Sequence, residues 1–270
     1  MIAVVVPVFN APAETERCLH ALAANVPDHT PVVVIDDASD DPRLEKILEQ
    51  QPKHWYRVQN ERNLGFVATA NLGMAMAGDA DIVLLNADTQ VTSGWLEAID
   101  RCAASDPRIA SVTPLTNNGE IASIPEFCRA NRWPDDPERW ALACRDSGAP
   151  VYTEVPTAVG FCMYLRRACL DRIGEFDESA FGRGYGEEND WCMRAITKGW
   201  HHVLCDDAFV AHQGGASFGP LGLAPGGQAM QTLLNRYPDY MDRVRTLIET
   251  DPMAERRAAI VRRYLELDAG

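Results

Sequence analysis

The chain has 270 residues, 46% of them hydrophobic and 24% charged, enough for one large α/β domain or two closely merged halves. Its formal net charge of -14 argues against a nucleic-acid partner, because polyphosphate recognition relies on Lys and Arg clusters that are absent here. A small phosphorylated ligand stays open, since a bound divalent cation reverses the local field.

Residues 2–8 form a continuous β-branched run, which suits a strand buried on both faces of a parallel sheet. After Phe9-Asn10-Ala11-Pro12, residues 14–24 read as a helix with Cys18, Leu19 and Leu22 turned inward. A second apolar run, 32–35, stops at Asp36-Asp37-Ala38-Ser39-Asp40-Asp41. The β-α-β alternation predicts a parallel sheet with right-handed crossovers. Ligands of such sheets sit beyond the carboxyl ends of the strands, where Asn10 and Asp37 fall; the acidic run would serve equally as a solvated capping turn. A helix over 43–50, a strand over 55–59 and a helix over 67–77 follow. Small residues at Ala68, Ala70, Gly73 and Ala77 suit close packing of that last helix. Neither the GxGxxG spacing nor a P-loop lysine is present. Strand 82–85 runs into Asn86-Ala87-Asp88-Thr89. Asp88 is placed there either to hold a cation against a diphosphate or to cap the helix over 95–104. Strand 109–113 completes the first half.

From 117 to 150 periodicity fades, and the chain reads as a long excursion over the active face with a short helix over 137–145. Its aromatics, Trp133 and Trp140 among them, suit a small satellite core or stacking on an acceptor sugar. Strand character returns over 155–164, broken by Gly160, and 166–173 is a helix. The stretch Phe181-Gly182-Arg183-Gly184-Tyr185-Gly186-Glu187-Glu188-Asn189-Asp190 then leads into a helix over 190–198. Glycines before a helix let the backbone approach a ligand, and carboxylates are tolerated in the first turn by the helix dipole; a flexible loop with an acid-rich cap is the plainer alternative. Strands over 200–205 and 208–212 end at His212, a position as fit for a structural histidine as for a ligand. A mobile Gly/Pro segment over 219–227 precedes helices over 228–237 and 256–267. The last has an apolar stripe (Ile260, Tyr264, Leu267) expected to pack on the domain, with a peripheral membrane contact or a homo-oligomer contact as alternatives.

The eight cysteines contain no CxxC pair and read as reduced, mostly buried thiols of a cytoplasmic protein. The N-terminus lacks the basic region of a signal peptide, and no apolar run approaches the roughly 20 residues of a membrane span. Any membrane association would be peripheral, at the inner face.

Taken in order, Val4-Val5-Val6-Pro7-Val8-Phe9-Asn10, Val34-Ile35-Asp36-Asp37-Ala38-Ser39-Asp40, Asn63-Leu64-Gly65-Phe66 through Asn71, Leu84-Leu85-Asn86-Ala87-Asp88, Val159-Gly160-Phe161-Cys162, Gly184 through Asp190, and His212 resemble the family 2 glycosyltransferases of the GT-A fold. The likeness spans about residues 1–217 and looks closest to bacterial members that build O-antigen and cell-wall polysaccharides, rhamnosyltransferase-like enzymes included. The resemblance implies a Rossmann-like, mostly parallel sheet flanked by helices. It implies a nucleotide-sugar-binding half over 1–115, an acceptor-binding and catalytic half over 116–217, and a C-terminal flexible segment with helices over 218–270. It implies that Pro7, Val8, Phe9, Asn10 and Asp37, with Asn63 and Gly65 nearby, contact the nucleotide. Asn86-Ala87-Asp88 would occupy the family's Asp-x-Asp site, with Asp88 and His212 holding Mn²⁺ or Mg²⁺. Glu188 would be the general base with Glu187 beside it, and Gly160, Tyr185, Gly186 and Asp190 would meet acceptor or donor sugar. The partners implied are a nucleotide-diphosphate sugar and a glycan or lipid-linked saccharide acceptor, joined by inverting transfer. Two departures stand out: Asn86 replaces the first Asp, and Glu188 replaces the more usual Asp. A sugar-phosphate nucleotidyltransferase would show a Gly-rich basic loop where Pro7-Val8-Phe9-Asn10 stands. A catalytically inactive scaffold of the same family is the other alternative that Asn86 leaves open.

Overall fold

Alternate residues of the first strand divide between two cores. Val4, Val6 and Val8 join one buried cluster and Val5 joins the other, as the period of two requires of a strand covered on both faces. The computed structural model describes residues 1–182, 184–214 and 227–268. Its elements begin with β1 (Ile2–Val8), α1 (Pro12–Asn25), β2 (Val32–Asp36), α2 (Arg43–Glu49), β3 (Tyr56–Gln59), α3 (Phe66–Met76), β4 (Asp81–Leu85), β5 (Thr89–Val91), α4 (Trp95–Ala104) and β6 (Ile109–Leu115). They continue with α5 (Pro137–Asp146), β7 (Glu154–Val155), β8 (Cys162–Leu165), α6 (Arg167–Ile173), α7 (Glu178–Phe181), α8 (Glu187–Ile196), β9 (His201–His212), α9 (Gly227–Arg236), α10 (Tyr240–Thr250) and α11 (Ala254–Asp268).

The strands make one nine-stranded sheet in the order β3-β2-β1-β4-β8-β6-β9-β5, with β7 also on β9. β3, β2, β1 and β4 run parallel, β8 is reversed between β4 and β6, and β6 and β9 are again parallel. The carboxyl ends of β1, β2, β4 and β6 therefore open on one edge, as the β-α-β reading requires. Helices α1 and α4 cover one face through Cys18, Leu19, Leu22, Trp95 and Ile99. Helices α3, α6 and α8 cover the other through Val67, Met74, Leu170 and Trp191. Gly73 explains how α3 lies so close: a Cβ there would stand 2.2 Å from Val5 Cγ1 and 3.1 Å from Ile35 Cδ1.

Several expectations need correction. The strand expected over 155–164 is two pieces, β7 and β8, with 156–161 irregular between them. The two strands expected over 200–212 are one, β9, because the chain bulges without breaking. Pro114 pairs with Cys205 and the next β6 residue, Leu115, with Phe209. The bulge is fixed by Asp206, fully buried, which accepts from the N–H groups of Val151 and Tyr152 and pairs with Arg256 of α11. Helix α8 starts at Glu187, earlier than expected, and α10 and β5 were not foreseen. Trp140 belongs to the main core, stacked between Phe209 and Tyr264, so it is no sugar platform; Trp133 lies under the Arg17 guanidinium. The apolar stripe of α11 is spent on the domain, with Ile260 fully buried and Tyr264 and Leu267 packed on the same cluster. Apart from Gly227, which opens α9, the Gly/Pro segment over 219–227 lies outside the described residues. Seven of the cysteines are buried and Cys128 is exposed, all as free thiols. Among the described residues no helix is long and apolar enough to cross a membrane.

Candidate active site

A cavity of about 430 Å³ opens at the carboxyl edge of the sheet. Its lining includes Pro7, Val8 and Phe9 after β1, Asp37 after β2, Asn63 and Gly65 before α3, and Asn86, Ala87 and Asp88 after β4. Gly160, Tyr185, Gly186, Glu187, Glu188 and His212 line it as well. Fifteen residues singled out in the sequence thus share one cavity. Two do not. Asn10 sits at φ +53° and its side-chain Oδ1 accepts from the N–H groups of Asp40 (3.0 Å) and Asp41 (3.3 Å), so it pins one loop to the next. Asp190 is fully buried, its carboxylate held by Arg194 Nε and by Arg236 of α9, both at 2.8 Å. It ties α8 to α9 and does not line the cavity.

Asp37 closes the floor at the end of β2. Its Oδ1 accepts from Asn60 Nδ2 (2.7 Å) and Leu64 N–H (2.8 Å), and its Oδ2 from Gly65 N–H (2.9 Å). One carboxylate therefore fixes the loop whose Asn63 and Gly65 face the cavity, at a glycine with φ +89°.

Asp88 and His212 meet because β5 pairs antiparallel with β9, placing Thr89 opposite His212. His212 Nε2 stands 3.5 Å from Asp88 Oδ1. On the ring's other side Nδ1 lies 2.5 Å from the Asn118 carbonyl oxygen, which can only accept, so Nδ1 carries the proton. The Nε2 lone pair then faces a carboxylate oxygen, the arrangement of two ligands awaiting one cation, with the backbone carbonyl orienting the ring as outer-shell partners do. The side-chain oxygen of Asn86 is buried without a hydrogen-bond partner. This oxygen-and-nitrogen set suits Mn²⁺ or Mg²⁺ when a diphosphate completes it. No group of three or more His, Cys, Asp and Glu side chains with metal-holding geometry occurs among the described residues.

The first turn of α8 brings the acids. Gly186, at φ +96°, caps the helix where a Cβ would press on the Phe181 ring at 3.0 Å. Burial pushes the Glu188 carboxyl up to about 7; the N–H groups of Glu188, Gly186 and Asn189 oppose that rise and the Glu120 charge adds to it. Glu187, 5% exposed, is raised well above the usual carboxylate range, first by burial and then by the Glu188 charge. Neither Glu187 Oε2 nor Glu188 Oε2 has a hydrogen-bond partner. One short segment links this acid pair to the Asp88–His212 pair. A Cβ on Gly160 would lie 3.8 Å from the Glu188 carboxyl carbon, and the next ring, Phe161, stacks on His212 at 5.1 Å.

Sequence reasoning missed one wall altogether. Ala229, Met230 and Leu233 of α9 and Tyr240 of α10 line the cavity, and no local signal in those helices distinguishes a cavity wall from core. Asn118, Gly119 and Glu120 also line it, within the excursion expected over the active face.

This mixed sheet, flanked by helices on both faces, has the GT-A fold. The sequence model of Glycosyl transferase family 2 matches residues 3–174, and the chain belongs to that family. An uncharacterized protein of Mycobacterium tuberculosis is 27% identical over 216 residues, 78% of this chain and 73% of its own. The putative polypeptide N-acetylgalactosaminyltransferase 9 of Drosophila melanogaster is 25% identical over 73% of this chain and 32% of its own. Among solved structures, GalNAc-T7 with UDP, GalNAc and Mn²⁺ superposes with a TM-score of 0.60 at 16% identity, over 78% of this chain and 43% of that one. S. aureus TarS with UDP-GlcNAc gives 0.55 at 16% identity, over 85% and 60%. The chain thus spans less than two thirds of these two solved proteins, and at such identity the likeness is one of fold. The family match includes Asp37 and Asp88 but stops before Glu188 and His212.

Proposed function

We propose that the protein is an inverting, metal-assisted glycosyltransferase. It moves a sugar from a nucleoside-diphosphate donor to a hydroxyl of a glycan or lipid-linked acceptor. The carrying observation is that Glu188, with its carboxyl poised near 7, opens into the same cavity as the Asp88–His212 pair. In this reading 1–115 holds the donor and 116–217 supplies the base and meets the acceptor. Lined by Asp37, Asp88, Glu120, Glu187 and Glu188 and by no Lys or Arg among the described residues, the cavity would repel a bare pyrophosphate. Asp88 Oδ1 and His212 Nε2 are the atoms that would hold a divalent cation. When bound, that cation supplies Lewis-acid neutralisation of the leaving diphosphate.

The chain's own residues do the rest. Glu188 accepts the proton of the acceptor hydroxyl as its oxygen bonds to the anomeric carbon. The bond from that carbon to the diphosphate oxygen breaks on the opposite side, and its electron pair leaves with the nucleoside diphosphate. General-base help of this kind is worth roughly 10²–10⁴-fold, and a base near 7 is half-ionised where the enzyme works. Glu187, whose carboxyl burial raises well above the usual carboxylate range, faces a sugar oxygen from beside that base. GalNAc-T7 and TarS were solved with UDP or UDP-sugars and the former with Mn²⁺, which supports such a donor and cation here.

Isothermal titration of nucleoside diphosphates with and without Mn²⁺ tests the donor half. Binding is expected only with the cation, and Asp88→Asn should weaken it. At a ligand concentration about 100 times Kd, binding would stabilise the fold by about 2.7 kcal/mol. Equal affinity without metal and in Asp88→Asn would overturn the reading.

A further inference from the structure

The α9–α10 wall has a consequence for the acceptor. An acceptor hydroxyl must come within hydrogen-bond reach of Glu188, so the sugar bearing it touches whatever lines the cavity beside that residue. Helix α9 packs on the turn that presents Glu188, since a Cβ on Gly186 would lie 3.7 Å from Ala229 Cβ. Met230, half-buried, and the buried Leu233 and Tyr240 continue that surface, and Leu233 and Tyr240 pack with Met193 of α8 beneath it. Arg236 holds the wall in place by pairing with Asp190 and Asp177, both at 2.8 Å. Opposite in character, Glu120 stands exposed at the rim of the same cavity, and the buried Glu187 Oε2 inside it lacks a partner.

We propose, resting on the transferase reading above, that this half of the cavity selects an uncharged saccharide with an apolar face, and that Met230 and Glu120 are its specificity-determining residues. Met230 offers a soft, polarizable surface to ring C–H groups. Glu120 and an ionised Glu188 repel phosphorylated or carboxylated acceptors, since like charges brought together in a cleft of low dielectric are costly. Glu187 meets a sugar hydroxyl with its unpartnered oxygen. Glu120, Glu188 and Tyr240 line the same cavity.

The test is saturation-transfer NMR on the full chain loaded with Mn²⁺ and a nucleoside diphosphate, whose own signal reports donor binding in the same tube. Methyl glycosides of neutral hexoses and deoxyhexoses are compared with methyl glucuronide and hexose 6-phosphates. Neutral glycosides should bind and anionic ones should bind at least about tenfold more weakly, a discrimination within reach of pocket contacts. Met230→Ser should weaken the neutral glycosides by about tenfold with nucleotide affinity unchanged, Met230→Leu should restore them, and Glu120→Gln should narrow the gap to the anionic ones. Anionic acceptors binding as well as neutral ones, no neutral glycoside binding at all, or Met230→Ser leaving affinity unmoved would each overturn the proposal while nucleotide binding persists. Loss of both signals in the wild type would remove the transferase reading along with it.

Discussion

For the transfer proposed above, the acid limb of the rate is the most exposed signature. In that transfer, a base whose carboxyl is lifted toward 7 loses activity at a pH where an ordinary glutamate would not. Burial lifts the Glu188 carboxyl from 4.5 to about 7, against the pull of three helix-end N–H groups. The base works only when ionised, so the rate should reach half its plateau near 7 and fall about tenfold for each further pH unit. The charge on Glu120 is one of the causes that raise Glu188. Glu120→Gln should therefore move the midpoint to lower pH. The assay is kcat against pH from 5 to 9 at saturating donor and Mn²⁺, with metal binding checked at each pH. A limb at the ordinary 4.5, or one that Glu120→Gln leaves in place, would refute the electrostatic account of this base.

The Asp190 clamp should be costly to break: Asp190→Asn removes a buried carboxylate from Arg194 and from Arg236, whose side chain is 37% exposed, and should lose about 2 kcal/mol in urea unfolding. Because Arg236 seats the cavity wall, Arg236→Met should raise acceptor KM more than it lowers kcat; unchanged stability and KM would show the clamp to be idle. His202 is fully buried between Ser111 Oγ (2.7 Å) and the Cys192 carbonyl (3.0 Å), and burial lowers its imidazole from 6.5 to about 4. The unfolded chain therefore binds a proton that the fold refuses. Stability present above 6.5 should be lost as pH falls toward 4, by about 3 kcal/mol. That loss should be absent from His202→Asn when the two unfolding profiles are compared, and parallel profiles would contradict it.

The first half of the fold was legible because its strands are continuous β-branched runs that stop abruptly at polar residues. β1, β2 and β4 need no tertiary information to be found, and the residues just beyond them are where an open α/β sheet exposes its ligands. β5 escaped because three residues carry no period, and α10 because Tyr240 is its one buried residue among those described. The bulge in β9 looked like a strand end, since Asp206-Asp207 reads as polar punctuation until Arg256, fifty residues on, is seen to neutralise it. Asp190 was misjudged for a similar reason. Three acids in one helical turn look alike in sequence, and only the distant Arg236 separates the one that holds the fold from the two that face the cavity. Asn10 was assigned to the nucleotide by position, whereas a left-handed asparagine is as apt to satisfy a neighbouring loop.

The central claim is that the Glu188 carboxylate takes the acceptor proton in a cavity that holds its donor by other groups. Turnover of Glu188→Gln at saturating donor and Mn²⁺, with nucleoside-diphosphate affinity measured on the same preparation, addresses it most directly. The account predicts transfer slowed by roughly 10²–10⁴-fold with affinity for the nucleotide retained. Wild-type turnover in that variant would contradict it.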